Sequence, residues 1–245
     1  MSGHSKWSQI KRKKGALDVK RGKIFSRLSK EITTAARLGG GDAASNPRLR
    51  HVIEAAKAEN LPKDNIERAI KKGTGELPGV QYEEQIFEAY GPGGAAILVE
   101  CMTDNKNRTI PEIKNIFAKC GASLASPGSV AWVFESKGYL GIDKSAISEE
   151  DLFSLAIEAG ADDIKVGDSL FEIITDPAHF EAVKHALQKR EIPIEEQSLT
   201  KIPKNTVEIK DSGHIKSILR LMESLEEHDD VQEVFSNFDI PDELM

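Results

Sequence analysis

The spacing of apolar residues changes near residue 80, and this change constrains the fold more than any other feature of the chain. Before it, apolar side chains recur every three or four residues, as at Ile24, Leu28 and Ile32, which is typical of amphipathic helices. After it, short apolar runs such as 95–103 alternate with helical segments, which is typical of sheets covered by helices. The sequence therefore predicts an N-terminal helical bundle followed by an α+β body.

Three helices are predicted in the N-terminal part, and each is bounded by residues that start or stop helices. The first spans 19–38 and ends at Gly39–Gly41, since glycine accepts the conformations that a helix end needs. Asn46 caps the second helix, with a proline at its first position. The third helix follows Pro62 and is predicted to end at Gly73.

The body is predicted to alternate strands and helices. The first predicted strand follows the change of periodicity at residue 82 and ends with Phe87 and Tyr90. The other predicted strands are 95–103, 129–135, 139–142, 169–175, one around 194–199, 205–210 and 231–237. The predicted helices are 109–120, 148–159 with Ser148 as N-cap, 177–190 with Asp176 as N-cap and Pro177 at N1, and 213–227. Turns are predicted at Gly91–Gly94 and at Ser136-Lys137-Gly138.

The order of these elements indicates a nested duplication. It reads ββα, then ββαβαβ, then βαβ, so that joining the outer pieces gives two ββαβαβ-like units, one inserted into the other. The predicted fold class is α+β, with a small N-terminal helical bundle followed by two α+β sandwich domains. The predicted domains are 1–78, the discontinuous 79–127 plus 203–245, and the inserted 128–202.

The charge of the chain is divided in the same way as its periodicity. Residues 1–75 hold 18 Lys and Arg against 7 Asp and Glu, whereas the rest holds 15 against 33, within a total of 33 basic and 40 acidic residues. Residues 1–14 contain no acidic residue and too little apolar material for a core, so a mobile basic arm is expected. A basic end on an acidic body indicates a polyanionic partner, most often nucleic acid. Two alternatives stay open: the cations form a solvated face, or they dock on the acidic half of the same chain.

The cations of the first helix centre roughly 140° around the helical wheel from its apolar residues. Lys and Arg neutralise phosphates and release counterions, so these cations and those around them are the candidate nucleic-acid contacts. The candidate nucleic-acid-binding residues are His4, Lys6, Trp7, Lys11, Arg12, Lys13, Lys14, Lys20, Arg21, Lys23, Arg27, Lys30, Arg37, Arg48, Arg50, Lys71 and Lys72. Trp7 either stacks on an unpaired base or packs the arm onto the bundle.

A second candidate contact is a polar loop at the head of the helix that begins near residue 109. It consists of Asp104, Asn105, Lys106, Asn107 and Arg108. Its residues either cap the helix or contact phosphate, and the sequence supports both interpretations equally.

No catalytic or metal-binding pattern is found in the sequence. The six histidines lack the HxxxH and HExxH spacings, and Cys101 and Cys120 are too far apart in sequence for a zinc motif. Both thiols are expected to be reduced and buried, although Cys120 could instead be reactive. No apolar run approaches the roughly 20 residues that span a bilayer. No cofactor, metal, membrane or small-molecule partner is therefore predicted, and the oligomeric state stays open.

Several segments match a known protein family over nearly the whole chain. They include GHSKW (3–7), KRGKIFSRLSKEI (20–32), LPKDNIERAIKKGTGEL (61–77), YGPGGAAILVECMTDNKNRT (90–109) and DVQEVFSNFDI (230–240). On these segments the chain closely resembles the YebC/PmpR family, whose members are described as probable transcriptional regulators. The resemblance implies three domains with a discontinuous middle one, a cytoplasmic location and DNA binding in regulatory members. It also implies kinship with mitochondrial translational activators and with bacterial relatives that act at the ribosome during proline-rich translation.

The leading hypothesis is a non-enzymatic DNA-binding regulator of transcription whose basic N-terminal module binds phosphates. The alternative is a ribosome- or RNA-associated translation factor that uses the same module on rRNA or tRNA. A third hypothesis is an interaction module that pairs with acidic protein surfaces.

Overall fold

A computed structural model describes Trp7, Ile10, residues 21–167 and residues 169–244. The chain forms two compact units. Unit 1 runs as far as Ala131 and resumes at Thr206, and unit 2 is the inserted segment Trp132–Asn205. The expected mobile arm, residues 1–14, falls outside the described residues except for Trp7 and Ile10.

Unit 1 begins with three helices, α1 (Arg21–Gly39), α2 (Pro47–Ala58) and α3 (Lys63–Thr74). The predicted N-cap of α2 is confirmed, because the Asn46 side chain accepts a hydrogen bond from the N–H of Leu49 at 3.1 Å. The helices enclose one apolar core formed by Ile32, Ala35, Ala36, Leu49, Val52, Ala56, Leu61, Ile66 and Ala69.

The predicted end of α3 at Gly73 is wrong. The helix continues to Thr74, and Gly75 ends it in the left-handed conformation with φ of +83°. Gly73 serves helix packing instead, because a Cβ there would overlap the carbonyl oxygen of Thr33 and lie 2.7 Å from the Cβ of Ala36. Since both roles select glycine, the sequence pattern does not separate a helix end from a close helix contact.

A four-stranded antiparallel sheet forms the rest of unit 1. Its strands are β1 (Glu83–Tyr90), β2 (Ala96–Thr103), β3 (Ser123–Leu124) and β9 (Val231–Ser236), in the order β3-β1-β2-β9. The register pairs Phe87 with Val99 and Val99 with Val234, which places these side chains on one face. Helices α4 (Lys106–Lys119) and α7 (Ser212–Glu226) contribute to the core on that face.

A tight turn joins β1 to β2, as the glycine-rich segment predicts. The N–H of Gly91 donates to the carbonyl of Ala95 at 2.7 Å, and Gly93 has φ of +74°. Beside it, β8 (Val207–Glu208) pairs in parallel with β10 (Phe238–Asp239).

The crossing segment, residues 128–131, leads out of unit 1 and is held by Glu88 on β1. The Glu88 carboxylate accepts hydrogen bonds from the N–H groups of Gly128 (2.6 Å), Val130 (2.7 Å) and Ala131 (2.9 Å). Burial acts to raise the pKa of Glu88, but the N–H groups of the crossing segment together outweigh it, and the pKa is lowered. The charged carboxylate therefore fixes the chain where it leaves unit 1.

Unit 2 is a second antiparallel sheet packed against two helices. Its strands are β4 (Phe134–Asp143), β5 (Ala161–Val166), β6 (Leu170–Thr175) and β7 (Glu196–Pro203), in the order β5-β6-β4-β7. Helices α5 (Glu149–Glu158) and α6 (Phe180–Lys189) pack on it around Leu140, Ile142, Leu152, Phe171, Ile173, Val183 and Leu187.

The predicted turn at Ser136-Lys137-Gly138 is wrong, because β4 runs through it as one strand. Gly138 lies in the middle of this strand, paired with Thr175 on one side and Leu199 on the other. A Cβ at Gly138 would overlap Oγ1 of Thr175 and reach the ring of Phe180. This glycine therefore permits close packing of α6 on the sheet, and it does not make a turn.

Two further elements of unit 2 differ from the prediction. The sequence pattern predicts no element at the position of β5, and α6 begins at Phe180, whereas the prediction places its start at Pro177. Asp176 caps a separate turn, since its carboxylate accepts from the N–H of Ala178 at 2.8 Å. The unit is thus ordered βαββαβ.

The predicted fold class is confirmed: the chain is α+β, with a helical bundle ahead of two antiparallel sheets covered by helices. Among the described residues, no helix is both long and apolar enough to cross a membrane.

Candidate nucleic-acid interface

A buried ionic cluster joins helix α1 to the end of the sheet in unit 1. The Asp230 side chain, only 4% exposed, accepts from Nζ of Lys30 at 2.9 Å and from the guanidinium of Arg108 at 2.6 Å. Hydroxyls of Thr109 (2.7 Å) and Thr103 (3.1 Å) donate to its second oxygen. Both carboxylate oxygens are thereby hydrogen-bonded, as a buried charge requires: Oδ1 by Lys30, and Oδ2 by Arg108 and the two hydroxyls.

The cluster keeps Asp230 ionised. Burial acts to raise the pKa of Asp230, but the hydrogen bonds from Lys30, Arg108 and Thr109 outweigh burial, and the pKa is well below its ordinary range. Asp230 is therefore charged at neutral pH, and Lys30, which pairs with it, serves the structure of unit 1.

Two more cations of α1 meet the C-terminal end of α7. Lys23 donates to the carbonyl of Glu227, and Arg27 donates to the carbonyl of Glu226. Helix α7 has no basic residue in its own last turn, and the carbonyls at a helix end are unpaired and carry partial negative charge. Helix α1 thus supplies the C-terminal cations that α7 lacks.

Three cations of α1, Lys23, Arg27 and Lys30, consequently face the α+β body of the same chain. This matches the alternative in which the basic residues dock on the acidic half. Of the other cations of the predicted first helix, Lys20 is outside the described residues. Arg37 is exposed and donates to the carbonyl of Tyr82 at 2.6 Å.

Trp7 is buried in the core of the unit 1 sheet, with 2% of its surface exposed. Its indole N–H donates to the carboxylate of Glu226 at 2.8 Å. The indole therefore presents no open face to a base in this arrangement. Trp7 packs on the α+β body. The sequence predicts instead that it stacks on an unpaired base or packs the arm onto the helical bundle.

The other described candidates lie on the exposed side of α2 and α3. Arg48 forms an ion pair with Glu84 at 2.5 Å, and Arg50 donates to the carbonyls of Ala43 and Ala44. The candidates His4, Lys6, Lys11, Arg12, Lys13 and Lys14 lie outside the described residues. For Arg21, only the backbone position at the start of α1 is described.

Helix α3 carries three cations that remain available. Arg68, Lys71 and Lys72 are exposed, and within the part of the chain that the structure describes none of their side chains has an ion-pair or hydrogen-bond partner. These three cations are the strongest described candidates for binding an anionic partner.

A polar recess, named here the α1–α3 groove, lies beside these cations. It has a volume of about 250 Å³. Its walls include Ser26, Ser29, Lys30 and Thr33 from α1, Asn65, Arg68 and Lys72 from α3, and Tyr82 before β1. A wider cleft of about 990 Å³ shares Ser26, Lys30 and Tyr82 with it and extends to Arg108 and Asp230.

The second candidate loop, residues 104–108, caps helix α4 and joins the Asp230 cluster. The Asn105 side chain accepts from the N–H of Arg108 at 3.2 Å, and Arg108 pairs with Asp104 at 2.9 Å. Lys106 pairs with Glu83. The side chain of Arg108 is 44% exposed and lines the wide cleft, so capping and an additional phosphate contact are compatible.

The thiols are in settings that suppress reactivity. Burial is the main cause that raises the pKa of Cys101 to about 12, and burial also raises the pKa of Cys120. A thiol with a raised pKa supplies little thiolate at neutral pH. Among the described residues, no group of three His, Cys, Asp or Glu side chains is arranged to hold a metal ion.

The sequence patterns used above do not predict the Asp230 cluster. They also do not predict the uncharged polar residues of the α1–α3 groove, such as Ser26, Ser29 and Asn65. A signal for the groove exists, since Ser26, Ser29 and Thr33 recur at helical spacing, as do Asn65, Arg68 and Lys72. No comparable signal exists for Lys30 and Asp230, which are 200 positions apart.

Comparison with known proteins defines the class of this molecule. Its helical segment matches the model of the TACO1/YebC protein N-terminal domain over residues 5–76, and the rest matches the TACO1/YebC second and third domain over residues 82–238. The chain therefore belongs to the TACO1/YebC family.

Its relatives carry a common description. A probable transcriptional regulatory protein of Desulfotalea psychrophila is 56% identical over 245 residues, covering 100% of this chain and 98% of the relative. Another from Geobacter sulfurreducens is 54% identical with the same coverage. A crystal structure of a conserved hypothetical protein from Aquifex aeolicus is 47% identical and superimposes with a TM-score of 0.84, covering 93% of this chain and 94% of that one.

Proposed function

We propose that the chain is a non-enzymatic, DNA-binding regulator of gene expression that works in the cytoplasm. The observation that carries this proposal is a set of exposed cations on α3, Arg68, Lys71 and Lys72, whose side chains have no partner among the residues that the structure describes. Cations without an internal counter-ion are the ones that gain most from a phosphate, because no existing pair has to be broken. The names of the relatives, probable transcriptional regulatory proteins, support the regulatory role.

The acidic charge of the rest of the chain indicates that nucleic acid binds on the side of the helical module. Residues outside 1–75 carry 33 acidic against 15 basic side chains, so a phosphate polymer is repelled from them. The polymer is therefore expected to approach from the side of α2 and α3. Arg48 and Arg50 lie there.

A non-enzymatic role is supported by the state of the most reactive side chains. Both cysteines are buried with raised pKa values. His228 is held in a structural contact, accepting from the N–H of Asp230 at Nδ1 (3.1 Å) and lying 3.0 Å from Glu112 through Nε2. These groups stabilise the fold and leave no activated nucleophile with a partnered base among them.

The alternative function is that of a ribosome- or RNA-associated translation factor that eases the synthesis of proline-rich stretches. The observation that favours it is the recessed shape of the α1–α3 groove, which suits a strand outside a duplex. Both functions use the same cations, so they differ in the polymer that is bound.

Crosslinking of the intact protein in cells, followed by sequencing of the bound nucleic acid, separates these functions. Enrichment of promoter DNA is expected for the transcriptional regulator, and enrichment of rRNA or tRNA fragments for the translation factor. Recovery of acidic proteins without nucleic acid would contradict both and would support an interaction module that pairs with protein surfaces.

A further inference from the structure

The α1–α3 groove gathers polar groups that the fold itself does not use. Ser26 and Ser29 contribute hydroxyls from one wall, and Asn65, Arg68 and Lys72 contribute an amide and two cations from the other. Within the described part of the chain, none of these five side chains has a hydrogen bond or ion pair to another residue. Five polar side chains that converge on one recess, each without an internal partner, indicate a ligand that supplies hydrogen-bond acceptors and negative charge.

The other polar residues of the groove are already occupied. The ammonium of Lys30 is directed at Asp230, and the Thr33 hydroxyl donates to the carbonyls of Ser29 (2.8 Å) and Ala69 (3.2 Å). Lys30 therefore contributes the aliphatic part of its side chain to the wall of the groove. The positive charge that faces a ligand comes from Arg68 and Lys72 on α3.

We propose that the α1–α3 groove is a binding site for the backbone of single-stranded nucleic acid. Arg68 and Lys72 would hold a phosphate, since guanidinium and ammonium groups donate strong hydrogen bonds to phosphate oxygens. The hydroxyls of Ser26 and Ser29 and the amide of Asn65 are placed to meet the sugar, which offers neutral donors and acceptors. This site rests on the proposed function, because it specifies which form of nucleic acid the helical module holds.

The shape of the groove selects a single strand over a duplex. Arg68 and Lys72 are exposed, and both line a recess of about 250 Å³ between two helices. In a duplex the backbone follows a stiff cylinder that is wider than this recess, whereas an unpaired strand can bend into it.

Tyr82 adds an aromatic wall at the point where the groove meets the wide cleft. Nζ of Lys30 lies 5.6 Å from the centre of its ring. Burial, and then the carboxylates of Asp104 and Asp230, raise the pKa of Tyr82, so the phenol stays neutral beside a phosphate. A neutral aromatic ring next to a backbone site is a surface on which an unpaired base can lie.

The test measures binding of the full-length protein to fluorescent oligonucleotides across a range of salt concentrations. The probes are single-stranded RNA, single-stranded DNA and duplex DNA of one sequence.

The first variant combines Arg68→Gln with Lys72→Gln. Its matched control combines Lys57→Gln with Lys63→Gln, which removes the same charge from the same module outside the groove. The groove variant is expected to lose about 10- to 100-fold in affinity for a single strand. The slope of log affinity against log salt should become shallower by about 0.7 for a single strand, because the two cations hold one phosphate. The control should lose clearly less affinity for a single strand than the groove variant, because Lys57 and Lys63 do not line the groove.

A second variant, Ser26→Leu, obstructs the groove without changing charge. Ser26 is exposed on α1 and leucine is a good helix former, so the fold is expected to be kept, and thermal unfolding checks this. The variant should weaken single-strand binding about tenfold. The salt slope should stay unchanged, because the complex that still forms keeps the same number of phosphate contacts.

The outcomes separate the site from the proposed function. Preference of the wild-type protein for RNA, single-stranded DNA or both over the duplex, lost in the groove variants alone, supports the site and identifies the polymer. Equal losses in groove and control variants, or full binding by Ser26→Leu, overturn the site while the proposed function stands. A wild-type protein that binds none of the probes at low salt overturns the proposed function itself.

Discussion

Replacement of Asp230 by asparagine should destabilise unit 1 far more than the loss of an ordinary surface carboxylate. Asp230 is 4% exposed in its side chain and receives two charged donors and two hydroxyls. In Asp230→Asn the charge disappears, and the new NH₂ group faces a cation or hydroxyl that also donates. Lys30, whose side chain is 12% exposed, then lies in the protein without a counter-ion.

The expected cost follows from the exposure of the two cations. Breaking a buried pair by removing one partner costs about 3–5 kcal/mol, because the remaining charge is uncompensated. Lys30 falls near the lower end of this range, since it keeps the carbonyl of Asp229 at 3.0 Å. Arg108 adds little to this cost, because it is 44% exposed and keeps Asp104. We therefore expect a loss of about 3 kcal/mol, which lowers the urea midpoint by about 1–2 M.

Fluorescence of Trp7 provides a probe that belongs to unit 1. The chain has two tryptophans, and Trp132→Phe leaves Trp7 alone in the core next to α7. Urea unfolding is measured at neutral pH in this background with and without Asp230→Asn. The control is Asp229→Asn, since the neighbouring Asp229 side chain is 88% exposed and only 3.9 Å from Lys23. It should change stability by about 0.5 kcal/mol or less.

The effect of Asp230 should also depend on pH. Its pKa is lowered in the folded state, so its contribution is complete above the ordinary carboxyl value of about 4 and is lost as the pH falls through the folded value. The stability difference between the wild type and Asp230→Asn should therefore shrink from pH 7 to pH 3. A difference no larger than that of Asp229→Asn, or one that is constant with pH, would refute the role of the ionic cluster.

Four further measurements address separate parts of the molecule. Gly73→Ala should cost about 1–3 kcal/mol in urea unfolding because its Cβ has no space against α1, whereas Gly22→Ala, with nothing within 4 Å, should be neutral or stabilise by up to about 1 kcal/mol. Glu88→Gln should speed proteolytic cleavage within the crossing segment, and an unchanged rate would contradict its anchoring role. Residues 132–205 expressed alone should give a dispersed amide NMR spectrum, as expected of a separate domain with its own core, and a collapsed spectrum would contradict this. Cys101, with its pKa raised to about 12, should resist thiol reagents at pH 8 until urea is added.

Local patterns in the sequence are sufficient to predict most helices and the fold class. Asn46 before Pro47 marks a helix start that needs no tertiary information, because the cap bonds to a residue only three positions away. The apolar run at 95–103 predicts a buried strand, and β2 is that strand. Periodicity reports which face of an element is buried, so the bundle core can be predicted in the same way.

The incorrect predictions concern residues whose role is set by a distant partner. The predictions at Gly138 and Gly73 rest on the usual local roles of glycine, whereas each glycine is needed because another helix approaches it. The position of the α1 cations likewise depends on a distant partner, the α+β body. Helical spacing shows that Lys23 and Lys30 do not face the bundle core, but it contains no information about the body that covers them.

The basic residues of the helical module act in two ways, on the stability of unit 1 and on the binding of phosphate, and a binding experiment must separate the two. Lys30 joins the helices to the sheet, so its substitution would weaken nucleic-acid binding by disturbing unit 1 even if Lys30 never meets a phosphate. Arg68 and Lys72 have no such partner within the described residues, so their substitution changes the charge presented to a ligand with little effect on stability. A loss of binding can be assigned to phosphate contacts only where the unfolding free energy is unchanged. By that criterion α3, and not the more strongly basic α1, is the helix on which the nucleic-acid hypothesis is decided.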